Sequence, residues 1–378
     1  MADLQDDIPR TTEAGEGDDL PDDPFPDDPF PDVPFPEAAP RSADEALERA
    51  HALLTAHPVA DGYSGLPWAL RRLPWCDLER GEAALATDVP RLREGRVGAL
   101  FWSLHLPEEP GGDRVVTATL EQVDQARSVI DGHPEGLRLV RTAGQIIDAR
   151  NHGRVAVLLG PAHAGALGGS LGVLRMLRAL GLRVLTLTGT DWAGAAGLTR
   201  FGEEVVGEMN RLGVLADVSG ASQATVERAV ALSRTPVLCT RSAARALRPH
   251  PANLPDELLA ALGEAKGLCM VPLTAEQTGP TVRDVADHLD HVRDVAGPEC
   301  VGLSGTYGSG ATHPRGLADT SRYPHLIAEL LRRGWSEAEL ALLTWGNVQR
   351  VVRSADFGAR LTQHRGEGAR ARTTEPDA

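Results

Sequence analysis

Short apolar, β-rich runs alternate with stretches of helical periodicity, and this alternation limits the fold of the chain more than any other feature. The runs fall at 59–61, 97–105, 155–160, 184–188, 214–219, 236–240, 268–273 and 301–304. Between them, 170–180 places apolar residues at 171, 173, 174 and 177, and 281–295 places them at 282, 285, 289 and 292. Those spacings give a helix one apolar stripe. A further helix begins at Gly202 and runs through Leu212-Gly213 into the next strand. Eight strand candidates alternating with helices predict an α/β fold, a TIM-like (β/α)8 barrel. A doubly wound open sheet is the alternative. No G-x-G-x-x-G follows the first run, which counts against a dinucleotide-binding version of it.

Charge is unevenly spread. Residues 1–40 hold thirteen acidic side chains and one basic one, Arg10, so only −3 of the net −15 belongs to the remaining 338 residues. A nearly neutral body offers no basic face to phosphates, so no nucleic-acid partner is expected. The first 40 residues repeat Pro-Asp-Asp-Pro-Phe at 21–25 and 26–30, then Pro-Asp-Val-Pro-Phe at 31–35. Dense proline and mutually repelling carboxylates predict an extended, disordered arm. Its three phenylalanines leave two readings open, a solvating tail or a short docking motif. The barrel is expected over 45–360, and 361–378 reads as a polar, disordered tail. Four cysteines without a C-x-x-C pair argue against a disulfide framework or zinc knuckle. No apolar run reaches the ~18–20 residues of a membrane span. The N-terminus does not read as a signal peptide. The expected location is cytoplasmic, with no membrane partner.

In such a barrel, chemistry sits where the strands end. Here those ends read Asp61-Gly62-Tyr63-Ser64-Gly65, Gly160-Pro161-Ala162-His163, Thr188-Gly189-Thr190-Asp191, Ser219-Gly220, Arg241-Ser242 and Ser304-Gly305-Thr306-Tyr307-Gly308. They are rich in Gly, Ser and Thr and poor in the His, Asp and Glu that a metallohydrolase places there.

Several blocks resemble the renal (membrane) dipeptidase family in unchanged order. They include Phe101-Trp102-Ser103, Gly197-Leu198-Thr199-Arg200-Phe201-Gly202, Glu208-Met209-Asn210-Arg211-Leu212-Gly213, Asn253-Leu254-Pro255-Asp256 and Val285-Ala286-Asp287-His288-Leu289-Asp290-His291. The resemblance spans about residues 45–355. It implies a barrel of the metal-dependent hydrolase type, two bridged zinc ions as cofactor, dipeptide hydrolysis, and a homodimer or pairing with an active paralogue.

The same resemblance exposes what is missing. The family's Asp-Gly-His-x-Asp motif supplies a His and an Asp to the metals; those positions are Tyr63 and Gly65. The bridging Glu falls at Ala162, and two later metal histidines fall at Gly220 and Arg241. The substrate-handling positions are altered as well: a His becomes Gly189, a carboxylate-binding Arg becomes Ala252, and a catalytic Asp becomes Thr306. Alanine and glycine offer zinc no donor, tyrosine is a weak ligand at neutral pH, and arginine is a fixed cation. No metal cofactor is therefore expected. The resulting reading is a catalytically degenerate homologue kept as a binding or interaction module. The alternatives are a hydrolase with a rebuilt or single-metal site and a sensor of small peptides or amino acids.

Asp61, His163, Asp191 and Arg241 are the candidate pocket residues. His105, His250 and His313 also lie on or near loops. Asp61 shares the parity of Tyr63 and is the expected partner of Arg241; the alternative is a small anionic ligand on the guanidinium. Counting alternation back from Gly220 turns Asp217 away from the mouth, as a structural carboxylate.

Overall fold

The computed structural model describes residues 40, 42–81, 84–106 and 114–364. Twelve strands occur among them: β1 (Val59–Ser64), β2 (Val97–Trp102), β3 (Leu137–Leu139), β4 (Val155–Leu159), β5 (Ala162–His163), β6 (Val184–Thr186), β7 (Ala193–Gly194), β8 (Gly197–Leu198), β9 (Leu215–Asp217), β10 (Leu238–Cys239), β11 (Leu268–Pro272) and β12 (Val301–Ser304). All but the β7–β8 hairpin join one parallel sheet, in the order β3-β4-β2-β1-β12-β11-β10-β9-β6-β5. β5 continues β4 just beyond Gly160-Pro161, and Arg183 N donates to Leu159 O at 2.8 Å. The sheet thus curls until its last strand meets its second, closing the expected α/β barrel.

All eight expected strands are present. β3 was not anticipated, because three residues centred on Arg138 give no pattern. It lies outside the ring, paired only to β4.

One inward-facing set fills the barrel: Ala60, Ala99, Phe101, Ala156, Leu158, Val184, Leu215, Leu238, Leu268 and Met270 pack together. Alternate residues such as Val59, Leu100, Val157, Leu185 and Ala216 face the helices. This is the period of two that a barrel wall needs. Helices begin where the sequence supplies a cap. Ser170, Thr199 and Thr281 accept from backbone N–H groups at the starts of Leu171–Leu180, Arg200–Leu212 and Val282–Ala296. Thr281 and Asp284 form a reciprocal capping box.

The chain ends by plugging the barrel floor. After a π-helical turn at Leu342–Gly346, the helix Asn347–His364 sends Val348, Val351, Val352 and Ala355 into the interior set. That helix covers the first four residues of the stretch expected to be a disordered tail. The remainder of that stretch, 365–378, and the acidic arm up to residue 39 lie outside the described residues. Among the described residues, no helix is long and apolar enough to cross a membrane.

A buried ion pair fastens this plug. Arg183 is fully buried, with Nη1 2.9 Å from Asp356 Oδ1. The same nitrogen donates to Arg141 O at 2.6 Å. Asp356 Oδ2 accepts from Ala143 N at 2.7 Å, so one carboxylate ties three segments together. Removing it strands a buried guanidinium. Asp356→Ala is expected to lower unfolding free energy by roughly 3–5 kcal/mol, read from the urea midpoint, with Asp356→Asn falling between.

Candidate functional site

At the C-terminal ends of the strands lies a cavity of about 310 Å³, lined by Tyr63, Trp68, Ser103, His105, His163, Thr188, Arg241 and Ser309 among others. A polar layer directly beneath it sets the position of Arg241. Asp217 shares the inward face of Leu215 and accepts from Thr186 Oγ1 at 2.6 Å, Ser219 Oγ at 2.6 Å and Thr240 N at 2.8 Å. Ser219 Oγ in turn accepts from Arg241 N at 3.0 Å. Asp217 is therefore structural, as expected, but it points into the barrel rather than away. Alternation cannot be counted back from Gly220, because β9 ends at Asp217 and the chain turns there.

Arg241 reaches from this layer into the cavity. Its Cζ lies 4.3 Å from the centroid of the Tyr63 ring, a cation–π arrangement. Its Nη2 stands 3.3 Å from His105 Nδ1. If that nitrogen accepts, His105 carries its proton on Nε2. Burial, reinforced by Arg241 and His163, holds the His105 pKa well below the usual histidine value, so the imidazole is neutral at pH 7. The His163 ring packs edge-on to His105 with centroids 5.9 Å apart, and its Nδ1 accepts from Gly165 N at 3.1 Å. Gly189 leaves room for that ring, since a Cβ there would lie 2.6 Å from His163 Nε2.

The cavity brings together Tyr63, Gly65, His163 and Arg241 of the expected residues. Others stand apart. Ala162 is buried beside His163. Gly220 does not line the cavity, although its carbonyl accepts from Thr188 Oγ1 at 3.2 Å. Thr306 is buried with φ +56, a strained conformation for a β-branched residue, and lies outside the cavity lining. Ala252 packs against Ser242 through its carbonyl. His250 and His313 are likewise outside it; His313 stacks on Tyr307 with ring centroids 4.4 Å apart.

Two expectations are corrected. Asp191 is exposed, because the chain turns at Gly189 (φ +73) and carries it out with the β7–β8 hairpin. Asp61 neither pairs with Arg241 nor looks into the cavity. Its Oδ1 accepts from Gly305 N at 2.6 Å and Tyr63 N at 3.1 Å. Its Oδ2 and the Tyr323 hydroxyl converge beside Gly305. The parity argument fails because the β1–β2 register shifts between Asp61 and Ser64. Tyr63 reaches the mouth while Asp61 stays behind the wall. Sequence reasoning overlooked Trp68 and Ser309, which carry no recognisable motif. His105 could be found from its place just after β2.

The residues present do not fit two zinc ions. Among the described residues, no three His, Cys, Asp or Glu side chains are placed to hold a metal. Among the described residues, no carboxylate lines the cavity. At Gly65 the backbone of the opposite loop has closed in: a Cβ there would lie 2.5 Å from Gly308 O and 2.9 Å from Ser309 N. An Asp side chain at position 65 would have no room unless this backbone moved.

A barrel with its site at this end is the architecture of metal-dependent hydrolases. The chain belongs to the membrane dipeptidase family (peptidase family M19), which it matches over residues 47–366. It is 40% identical over 332 residues to Dipeptidase 3 of Mus musculus, covering 82% of this chain and 66% of that protein. The chain thus spans just under two thirds of that relative's length. Dipeptidase verJ of Clonostachys rogersoniana is 33% identical, covering 86% of this chain and 91% of the relative. Among solved structures, a metallo peptidase from Rhodobacter sphaeroides, liganded with a phosphinate mimic of the dipeptide L-Ala-D-Ala, shares the fold. It aligns with a TM-score of 0.71 at 24% identity, covering 79% of this chain and 99% of its own.

Asp61 gives this region a pH signature. Burial raises its pKa from 3.8 to about 6, against the lowering effect of the Gly305 and Tyr63 N–H groups. The folded state therefore keeps this proton to a higher pH than the unfolded chain does. The associated stability is fully present below about pH 4 and is lost as pH rises through about 6. Asp61→Asn keeps the Oδ1 acceptor and removes the ionisation. The expected result is a gain of up to roughly 2–3 kcal/mol at pH 8, vanishing near pH 4, measured by denaturant titration across that range.

Proposed function

We propose that this chain is a non-hydrolytic member of its family, a dipeptidase barrel retained as a binding module. The observation that carries this reading is Arg241. A permanent guanidinium, stacked on Tyr63 and hydrogen-bonded to His105, stands where the family resemblance places a metal-binding histidine. Two divalent cations beside it would be repelled, and among the described residues no carboxylate of the lining offsets that charge. Without a metal, water is not activated at neutral pH and the amide carbonyl is not polarised. The closed backbone contact at Gly65 supports the same reading. The curated relatives are named as dipeptidases, and this proposal departs from them at the site alone.

One observation favours hydrolysis by a rebuilt site: two imidazoles, His105 and His163, face each other at the mouth. A single metal held by that pair would still lie beside Arg241.

Zinc content by elemental analysis, with Ala-Ala hydrolysis assayed on the same sample, separates the two. The expected result is no stoichiometric zinc and no turnover, with or without added metal. Stoichiometric zinc accompanied by turnover would overturn the proposal in favour of a rebuilt site. Returning the lost side chains as Tyr63→His with Gly65→Asp is expected to lower stability by roughly 1–3 kcal/mol, because the Gly308–Ser309 backbone must move, and to recover no zinc.

A further inference from the structure

We infer that the cavity at the barrel mouth is a binding site for a single carboxylate, that of a free amino acid or a short peptide, with Arg241 as its anchor. This rests on the non-hydrolytic reading above and goes further by naming the ligand class.

The first argument is an uncompensated charge. Arg241 forms no ion pair among the described residues, and its Nε is buried without a hydrogen-bond partner. Other interior arginines are tied down more fully: Arg183 pairs with Asp356, Arg211 and Arg175 share Glu208, and Arg350, whose Nε also lacks a partner, donates to the carbonyls of Lys266, Gly267 and Glu299. The guanidinium of Arg241 is half-buried, and its one side-chain hydrogen bond among the described residues goes to a neutral imidazole, which leaves its charge for a ligand. The cation stays in place because the Tyr63 face, the His105 acceptor and the Ser219 contact hold it there. Those contacts orient it without neutralising it.

The second argument is the character of the other donors. His105 also keeps a buried Nε2 without a partner, and His105 lines the same cavity. With its Nδ1 accepting from Arg241, that Nε2 is an N–H. Ser103 adds a hydroxyl that accepts from His105 N and keeps its own proton, whereas the Thr188 and Ser309 hydroxyls donate to Gly220 O and Thr306 O; among the described residues no Asp or Glu lines the wall. A pocket made of N–H and O–H groups around one cation suits an anion that accepts several hydrogen bonds.

Charge and size select the anion. The Arg241 guanidinium supplies one positive charge, and the His105 imidazole beside it is held neutral. That matches a carboxylate and undercompensates a phosphate dianion in a buried site. About 310 Å³ lies at the low end of small-molecule sites and holds a ligand of amino-acid to dipeptide size. Tyr63, Trp68 and Leu106 give the organic part of the ligand apolar walls. The contact differs from the carboxylate contact implied by the family resemblance, whose position here is Ala252, outside the cavity lining.

The test is thermal unfolding of the full chain in EDTA, at constant ionic strength, with acetate, Ala-Ala, Ala-Ala amide, inorganic phosphate or chloride added. Ala-Ala is expected to raise Tm by about 1–3 °C at millimolar concentration, acetate less, and the amide and chloride not at all. Arg241→Gln should abolish the shift, and Arg241→Lys should weaken binding about tenfold or more by losing the fork. Because Arg241→Gln could fail to fold, the acid-against-amide comparison on the unsubstituted chain stands as an independent readout. Equal shifts with Ala-Ala and its amide, or none with any carboxylate, overturn the inference. A shift with phosphate alone overturns the monoanion assignment. Glu108 and Glu109, a few residues after His105, are outside the described residues. If carboxylates bind only after Glu108→Gln and Glu109→Gln, the counter-charge is internal and the inference fails. A shift that requires added zinc instead sinks the non-hydrolytic reading, so the two failures are distinguishable.

Discussion

A closed ring of parallel strands has to fill its own interior, and the rest of this molecule follows from how that is done. The inward set is a mixture of Ala, Val, Leu, Met and a single Phe, and around Met270 the wall is thinned to Gly62 and Gly302. A Cβ at Gly62 would lie 2.4 Å from Met270 Sδ, so the two positions are complementary. Below, Trp345 of the π-helical turn and Val348 of the last helix form a floor. Above, apolar filling gives way to Thr186, Asp217, Ser219 and Thr240, which satisfy one another through Asp217. The mouth residues stand on this polar layer. Because the layer is fully buried and bonded, it fixes the height and direction of Arg241.

That separation of floor, filling and mouth explains how a site can be lost while its scaffold persists. Stability in such a barrel resides in the wall, the helices and the floor, whereas chemistry resides in the loops after the strands. The Arg183–Asp356 pair and the capping box at Thr281 lie in the scaffold. Tyr63, Gly65 and Arg241, three of the positions where the family resemblance places metal ligands, lie at the mouth. On the non-hydrolytic reading, replacing a metal set by Tyr, Gly, Ala and Arg removes charges that only the metals balance, so losing several together disturbs the fold less than losing one.

Periodicity and capping made the barrel legible, because they act over a few consecutive residues. Ser170, Thr199 and Thr281 each marked a helix start within the sequence itself. The membership of the site was legible only in part, since Ala162, Gly189, Gly220, Ala252, Thr306, Asp61 and Asp191 do not line the cavity, and orientation was illegible. Tyr63, Gly65, His163 and Arg241 do meet. Asp61 and Asp217 were both misdirected, for one shared reason: each was placed by counting alternation through a point where the strand stops being regular. A register shift follows Asp61 and a turn follows Asp217. Such irregularities depend on what the neighbouring strand does, which a single segment does not encode. The His105 contact to Arg241 spans 136 positions and has no local signal at all.

The mouth is also coupled to its loops in a way that bears on reversibility. Gly65 N donates to Tyr307 O at 2.7 Å, and the Gly308–Ser309 backbone rests against the Gly65 Cα. Thr306, at the base of the same loop, holds φ +56 while its N–H donates to Tyr63 O at 2.9 Å. Strain at Thr306 is offset by this loop-to-strand seam. Any side chain returned to position 65 would have to open the seam, and opening it would release Tyr63 from beneath Arg241. The guanidinium, the aromatic face and the closed loop therefore form one unit. Each is tolerated because the others are present, so single substitutions lead away from this arrangement without leading back to a metal site.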